Sequence, residues 1–246
     1  MFRLLKDTLC KRCVFFGLNC EKKGCEHYYI FQHIIDRYGK LYAVEILSRP
    51  HYNPSNNIEE YFDTMSVDKG KRLIKHQLLN LTKNWGILNL SGYKYFLNID
   101  RYLLVDPKVV DILTIANKEL KMKGVNLVYE VTERQYETDV NIKNVFYKML
   151  VDDIDFAADD YSFEKKTHIF VDDYQYIKID MDIVYKSIKN DINGFTDHLY
   201  RLKYNNAKLI AEKVQSKQDF LTVYYLPFDY FQGFYFDTHN ELNNCI

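Results

Sequence analysis

Seven short apolar runs in this chain of 246 residues end in a residue that could bind a metal ion or move a proton. The residues at or just after these ends are Glu45, Asn98, Glu130, the pair Asp159 and Asp160, Lys178, Glu212 and Gln232. If the runs are parallel strands of one barrel, their C-terminal ends lie on a common face. Carboxylates gathered there repel one another unless a cation lies among them. The pattern therefore predicts a metal site at the mouth of a barrel.

The predicted cluster combines one amide oxygen, that of Asn98, with several carboxylates. The carboxylates belong to Glu45, Glu130, Asp159, Asp160 and Glu212. These are hard oxygen ligands, which favour Mg²⁺ or Mn²⁺ over zinc. Two ions roughly 3.5–4 Å apart are a common arrangement for cleaving a phosphate ester, and Lys178 would then orient the attacking hydroxide. Singly, each residue has a plainer interpretation as a loop, turn or surface residue; their joint occurrence favours a site.

The segments between most of these runs have the apolar periodicity of helices. Helices are predicted over residues 58–84, 108–122, 138–150 and 183–204. Strands are predicted over 28–32, 41–47, 93–99, 125–131, 153–158, 174–179, 207–211 and 222–225, with a turn at 34–40 between the first two. Alternating strands and helices favour a parallel sheet. About eight strands favour closure into a TIM-like (β/α)8 barrel of the α/β class.

Composition and charge exclude several classes of protein. Apolar residues make up 47% of the chain, which is typical of a globular domain rather than a disordered one. The 33 basic and 34 acidic residues nearly cancel, so a polymeric nucleic acid is not expected as a partner. No apolar run is long enough to span a membrane, and the charged N-terminus lacks a signal-peptide core. A cytoplasmic location is expected.

Four of the five cysteines lie within the first 25 residues. Cys10, Cys13, Cys20 and Cys25 are a candidate structural zinc site in a reducing compartment, with His27 as a substitute ligand, although their spacing matches zinc modules loosely. Structural or free thiols are the other interpretation. Residues 1–25 are therefore predicted to form an N-terminal extension, and residues 26–246 the barrel domain.

Eight short motifs follow one another along residues 28–236. They are Phe31-Gln32-His33, Glu45-Ile-Leu-Ser-Arg49, Phe96-Leu-Asn98-Ile, Glu130-Val-Thr-Glu133, Ala157-Ala-Asp159-Asp160, Ile177-Lys178-Ile-Asp180, Ile210-Ala-Glu212-Lys213-Val and Phe231-Gln232-Gly233. In this order and approximate spacing they resemble the EAL domain, a bacterial phosphodiesterase domain that acts on the second messenger cyclic di-GMP. Eight ordered motifs are far more specific than any one of them alone.

The resemblance implies a TIM-like barrel that hydrolyses cyclic di-GMP to linear pGpG with two Mg²⁺ or Mn²⁺ ions. The ligands it implies for the first ion are Glu45, Asn98, Glu130 and Asp159, and for the second Asp159, Asp160 and Glu212. Lys178 would position the attacking water, and the implied catalytic residues are Lys178, Glu45, Glu212 and Asp160. Arg49, Gln32 and Gln232 would contact the substrate or the reacting water. Glu133 would anchor the loop after the paired aspartates.

The chain departs from the family pattern around this site. The glycine-containing loop that follows the two aspartates in the family is replaced by Tyr161-Ser-Phe-Glu-Lys-Lys166, without glycine. Lys213 stands in place of a glycine, and His33 in place of a proline. In the family this loop couples metal binding to dimer contacts, so a homodimer stays an open alternative. The alternative to an active enzyme is a catalytically inactive EAL-like module that binds cyclic di-GMP or a protein partner as a regulator.

Overall fold

The computed structural model describes residues 13–15, 26–53, 57–85, 92–132, 139–163 and 173–239. Cys10, Cys20 and Cys25 lie outside the described residues, so the zinc site stays a prediction, as does the domain boundary at residue 25. Cys13 is buried, and its Sγ accepts a hydrogen bond of 3.4 Å from the backbone N–H of Tyr29. No helix within the described ranges is both long and apolar enough to cross a membrane.

Eight strands close into a barrel in the order in which they occur in the chain. They are β1 (His27–Asp36), β2 (Leu41–Pro50), β3 (Lys94–Asp100), β4 (Asn126–Thr132), β5 (Asp155–Ala158), β6 (Tyr176–Asp180), β7 (Lys208–Glu212) and β8 (Tyr230–Gln232). Each neighbouring pair from β2 to β8 is parallel, whereas β1 is antiparallel to both β2 and β8. The predicted α/β barrel is confirmed, with one strand reversed.

The reversal of β1 follows from its short connection to β2. A parallel pair needs a crossover of about a dozen residues or more, whereas a tight turn makes neighbouring strands antiparallel. Asp36 stabilises this turn, because its Oδ1 accepts hydrogen bonds from the backbone N–H groups of Tyr38 and Lys40 at 2.8 and 2.9 Å. Gly39 supplies the positive φ of 77° that the turn requires. The turn is shorter than predicted, since Ile34 and Ile35 still pair within the sheet.

Seven α-helices and one 3₁₀ helix accompany the strands in the part of the chain that is described, and the last of them follows β8. They are α1 (Ile58–Asp63), α2 (Val67–Asn84), the 3₁₀ helix (Arg101–Val105), α3 (Pro107–Lys121), α4 (Asp139–Val151), α5 (Met181–Tyr204), α6 (Lys217–Tyr224) and α7 (Phe234–His239). The single helix predicted over 58–84 is two helices, α1 and α2. Helix α5 contains a kink at Asp191, whose φ of −162° and ψ of 95° are not helical.

The prediction of a strand at residues 222–225 is wrong, because this segment is the C-terminal end of α6. A capping box begins that helix: Ser216 accepts a hydrogen bond from the backbone of Asp219, and the Asp219 carboxylate accepts one in return. Val223 is buried on the inner face of the helix. The β-branched and aromatic residues that favour a strand are thus one helical turn packed on the core. The eighth strand follows at Tyr230–Gln232.

Two separate apolar cores pack against the outer and inner faces of the strands. The larger core fills the space between the strands and the helices. The smaller one lies inside the barrel and takes one buried residue from each of β1 to β7: Ile34, Ala43, Phe96, Val128, Ala157, Tyr176 and Ile210. This ring of interior residues lies directly below the functional site.

Candidate functional site

The side chains predicted to form a site lie one layer above the interior ring. On each of the strands β2 to β7, the site residue comes two positions after the ring residue; Glu45, for example, follows Ala43, and Lys178 follows Tyr176. Side chains two positions apart in a strand point to the same face of the sheet. The apolar layer and the polar layer are therefore consecutive levels of one barrel interior. The remaining members reached by the same step are Asn98, Glu130, Asp159 and Glu212.

Lys178 lies at the centre of the polar layer and is about 1% exposed. Its Nζ contacts carboxylate oxygens of three glutamates, Glu45 at 3.1 Å, Glu130 at 2.7 Å and Glu212 at 2.6 Å. Burial alone lowers the pKa of Lys178, but these carboxylates raise it well above its usual value. The acidic cluster therefore favours the charged form of the lysine at its centre.

Glu45 is held from both sides by amide groups. Asn98 donates a hydrogen bond of 2.6 Å from its Nδ2 to Glu45 Oε1, and Gln232 donates from its Nε2 to Glu45 Oε2. The same Gln232 nitrogen lies 3.0 Å from Oε1 of Gln32 on β1. Burial raises the pKa of Glu45, but Lys178 and the two amides outweigh it, so the pKa lies below its usual value. Glu45 is consequently ionised in the folded protein.

One lysine does not neutralise the other acids of the cluster. Burial, together with the negative charge of Glu45, raises the pKa of Glu130 well above its usual value. Burial likewise raises the pKa of Glu212 to about 8 and that of Asp159 to about 6, although Lys178 opposes both shifts. Lys178 alone therefore does not offset the burial and mutual repulsion of these acids, and a divalent cation among them would lower their pKa values again.

Two groups of carboxylates are close enough to share a cation. The inner group is Glu45, Glu130 and Glu212, and the outer group is Asp159, Asp160 and Glu212; in each, one oxygen from every residue lies within 4.8 Å of the others. Glu212 belongs to both. Oε2 of Glu130 is buried and has no hydrogen-bond partner among the described residues. A hard oxygen donor left unpaired inside an all-oxygen cluster fits a Mg²⁺ or Mn²⁺ ligand.

Asp160 differs from the inner acids because it is exposed and has a positive φ of 48°. The next residue, Tyr161, fixes the chain there: its N–H donates to the Lys178 carbonyl at 3.0 Å, and its hydroxyl is 3.0 Å from Nε2 of His198 on α5. Phe163 packs edge-on against the same histidine, with ring centroids 4.5 Å apart. Aromatic contacts thus anchor the start of the glycine-free loop, of which residues 164–172 are outside the described ranges.

The other two predicted residues are placed less centrally. Arg49 lies near the end of β2, on the same face as Glu45, and its Nη1 donates to the carbonyl of Ser48 at 2.9 Å. Burial lowers the pKa of Arg49, and the charge of Glu45 opposes that shift. Glu133 lies outside the described residues.

The structure also brings Lys213 and Asp180 to the edge of the site, and the sequence patterns assign neither a role there. Nζ of Lys213 forms an ion pair with Oδ2 of Asp180, whose other oxygen caps α5 by accepting from the Asp182 N–H at 3.0 Å. The signal for Lys213 is its place directly after Glu212, where the family pattern has glycine. The signal for Asp180 is that it ends β6 two residues beyond Lys178.

Comparisons with known proteins identify the family and the fold of the chain. The family model described as the EAL domain matches residues 20–238. No curated protein sequence matches the chain significantly. Among solved structures, the EAL enzyme Bd1971 in a form bound to cAMP and cyclic di-GMP has a TM-score of 0.67 at 16% identity, covering 96% of this chain and 65% of its own.

Two further structures have similar scores. A manganese and cyclic-di-GMP complex of Klebsiella pneumoniae BlrP1 has a TM-score of 0.67 at 18% identity, covering 86% of this chain and 55% of its own. An EAL domain protein from Listeria monocytogenes EGD-e has a TM-score of 0.64 at 15% identity, covering 86% and 87%. The chain thus spans 65% and 55% of Bd1971 and BlrP1. At these identities the likeness shows a shared fold, and the family match over residues 20–238 shows that the chain belongs to the EAL domain family.

Proposed function

We propose that this protein is a metal-dependent phosphodiesterase that hydrolyses cyclic di-GMP to linear pGpG. The observation that carries the proposal is the meeting of three buried or partly buried glutamates, the Asp159–Asp160 pair and Lys178 at one end of an EAL-family barrel. Separate strands contribute these side chains, and nothing about barrel stability requires so many acids together. Solved relatives of the same fold are complexes with cyclic di-GMP and manganese or calcium, which supports this ligand pair.

The two carboxylate groups divide the proposed metal binding between an inner and an outer position. Glu45, Glu130 and Asn98 would hold the inner ion, joined by Glu212 in place of Asp159, which the family pattern implies there. Asp159, Asp160 and Glu212 would hold the outer ion, as the family pattern implies. The shared carboxylate of Glu212, together with Asp159, would keep the two positions close. When bound, the ions would neutralise phosphodiester charge and favour ionisation of an attacking water.

The polar groups that are not metal ligands would then orient the reactants. Once the ions bind the three carboxylates that hold Lys178 in the metal-free protein, the N–H groups of the lysine would be available for the attacking oxygen or for a phosphate oxygen that gains charge. Gln232 and Gln32 would hold the water or the phosphate from the β8–β1 side. Arg49, at the end of β2, would contact a second phosphate of the substrate as a charged donor.

Hydrolysis of cyclic di-GMP by the purified protein tests this function directly. With Mn²⁺ or Mg²⁺, chromatography should show conversion of cyclic di-GMP to linear pGpG. Glu45→Gln keeps the shape of the side chain but removes its charge, and should lower turnover by about a hundredfold or more. Glu119→Gln is the matched control, because Glu119 is an exposed acid on α3, and it should turn over normally.

Binding without turnover is the result that would overturn the enzymatic proposal. If calorimetry shows that the protein binds cyclic di-GMP in the presence of either ion, yet no pGpG forms, the inactive regulatory module is the correct description. If pGpG forms and Glu45→Gln leaves its rate unchanged, the enzyme stands but the site assigned to it is wrong.

A further inference from the structure

Lys213 has a backbone conformation that lysine seldom takes. It follows Glu212 at the end of β7 and has a φ of 55°, in the left-handed region that favours glycine. Its neighbour Val214 is held firmly, because its N–H donates to the Gln232 carbonyl at 3.0 Å. The Val214 backbone also packs closely on Gly233, where an added Cβ would lie 2.2 Å from the Val214 oxygen. The fixed chain on both sides imposes the strained turn on Lys213.

The strained backbone directs a positive charge to the outer carboxylate group. Nζ of Lys213 pairs with Asp180, and β6 and β7 are in register so that Asp180 lies beside Glu212. Burial lowers the pKa of Lys213, but the charges of Asp180, Asp160 and Glu212 raise it above its usual value. Two of the three residues of the outer group therefore lie within the electrostatic range of one ammonium group.

A fixed ammonium group and a divalent ion compete for the same negative potential. The outer group is the more hydrated of the two, since Asp160 is exposed, whereas the inner group is buried around Lys178. Lys213 would oppose the binding of a cation there, and Asp180 would favour it, because their charges are opposite and both lie beside Glu212. The affinity of the outer position depends on the balance between these two charges.

We propose that the Lys213–Asp180 pair sets the affinity of the outer group (Asp159, Asp160 and Glu212) for its divalent ion, with Lys213 lowering that affinity and Asp180 raising it. The inference rests on the proposed function, because it concerns the second ion of that site. On this inference Lys213 and Asp180 do not bind the ion themselves; their charges change how strongly the outer group binds it. The concentration of divalent ion at which the site becomes doubly loaded would then be a property of this chain's own residues.

Titration of the purified protein with Mn²⁺, followed by the electron paramagnetic resonance signal of the free ion, tests the inference without measuring turnover. Lys213→Met removes the charge and keeps an apolar stem, so the weaker of the two Mn²⁺ dissociation constants should fall about three- to tenfold. Asp180→Asn removes the opposite charge but keeps an oxygen to cap α5, so the same constant should rise by a similar factor. The tighter constant should change less than about twofold in both variants, because Glu45 and Glu130 of the inner group lie on β2 and β4, away from the pair.

Two controls separate charge from backbone strain and from misfolding. Lys213→Arg keeps the charge and the unfavourable φ, so its dissociation constants should match those of the unchanged protein. The double variant of Lys213→Met with Asp180→Asn should return towards the original affinity, since the net charge beside Glu212 is restored. If Lys213→Met does not fold, Asp180→Asn still tests the opposite half of the charge balance.

The outcomes distinguish this inference from the proposed function. If two ions bind and the weaker constant is the same in all variants, the pair does not tune the outer site, while the enzymatic proposal is untouched. If only one ion binds, or none, to the unchanged protein and to Lys213→Met alike, both proposals are wrong.

Discussion

Lys178 supplies a positive charge at the centre of the acidic site. It is buried, and three glutamates of three different strands meet at its Nζ within 3.1 Å. A buried ion pair contributes little net stability by itself, because the loss of hydration nearly cancels the attraction. Removing one partner is different, since the remaining charges stay buried without compensation. The acids of the site can therefore be kept together only while some cation, either the lysine or a metal ion, is among them.

Replacing Lys178 with methionine should make the protein depend on metal ions for its stability. Without metal, Lys178→Met should lower the free energy of unfolding by about 3–5 kcal/mol, because the glutamates lose their common counter-charge. Added Mn²⁺ should restore much of this loss, so the rise in melting temperature should exceed that of the unchanged protein. Urea unfolding with Mn²⁺ and with a chelator measures both effects.

Lys75→Met is the matched control for this prediction, because Lys75 is an exposed lysine on α2. It should change stability by no more than about 0.5 kcal/mol, with or without metal. An equal response to Mn²⁺ in Lys178→Met and the unchanged protein would show that Lys178 and the ions do not serve the same carboxylates.

At the scale of elements, the alternation of side chains along a strand explains why the sequence predicts so many residues of the site. Ala43, Phe96 and Ala157 are apolar and point into the barrel, so Glu45, Asn98 and Asp159 must point the same way. The end of each apolar run therefore predicts a polar side chain at the mouth. The order of the strands around the barrel follows the chain, which brings all these ends together.

Contacts between distant residues were beyond what the sequence could predict. The periodicity of β6 and β7 contains no information on the pairing of Lys213 with Asp180, which depends on strand register and on the close packing of Val214 on Gly233. The segment around Val223 has strand-like residue types, but the Ser216 cap makes it helical. Strand register and packing decide the first case, whereas in the second a local capping box, which the sequence contains, outweighs the β propensity of the residues.

The packing of α1 on β1 should make stability depend on pH. His27, at the start of β1, is about 5% exposed; it stacks on Phe62 and lies 3.0 Å from the Tyr61 hydroxyl. Burial lowers the pKa of His27 to about 4 from the usual 6.5. Between these values the unfolded chain binds more protons than the folded one, so stability rises with pH. The stabilisation is complete above pH 6.5 and is lost as the pH falls towards 4.

Comparison with His27→Gln isolates this effect from the other titrating groups. Glutamine does not ionise, so across pH 4 to 7 the unchanged protein should lose up to about 3 kcal/mol more than the variant as the pH falls. The carboxylates of the barrel mouth titrate in the same range, but they are common to both proteins and cancel in the difference. Parallel pH profiles of the melting temperature would mean that His27 is accessible to protons in the folded state.

A side chain should not fit at Gly233, because the end of β8 packs closely on the segment after β7. Its φ is 153°, and a Cβ there would lie 2.5 Å from the Val214 nitrogen as well as 2.2 Å from its oxygen. Gly233→Ala should cost at least about 3 kcal/mol and displace Gln232 from Glu45. Gly39→Ala is the control, because Gly39 also has a positive φ but open space around it, and should cost only about 1 kcal/mol. Equal losses in urea unfolding would contradict the steric argument.

For the whole molecule, the functional site requires buried acids inside the barrel, whereas the stability of the barrel favours apolar residues there. The lower layer is an apolar ring that stabilises the closed barrel, whereas the layer above it buries acids that repel one another. The raised pKa values of Glu130 and Glu212 show that burial and neighbouring acids disfavour the charged forms of these groups when no metal ion is bound. A barrel without the site would be more stable, and the stability that the acids remove should return when divalent ions bind.

Glu130→Gln tests this conflict, because glutamine has the shape of the protonated acid. Oε2 of Glu130 is buried without a hydrogen-bond partner among the described residues, so removing its charge should leave the metal-free protein at least as stable as before. The same change should abolish most of the stabilisation by Mn²⁺, which is about 2.7 kcal/mol when the ion is present at a hundredfold excess over its dissociation constant. Melting curves of both proteins with Mn²⁺ and with a chelator measure the two effects together. If the metal-free Glu130→Gln protein unfolds more easily than the original, Glu130 stabilises the fold through its ion pair with Lys178. The charge of Glu130 would then not lower the stability of the protein.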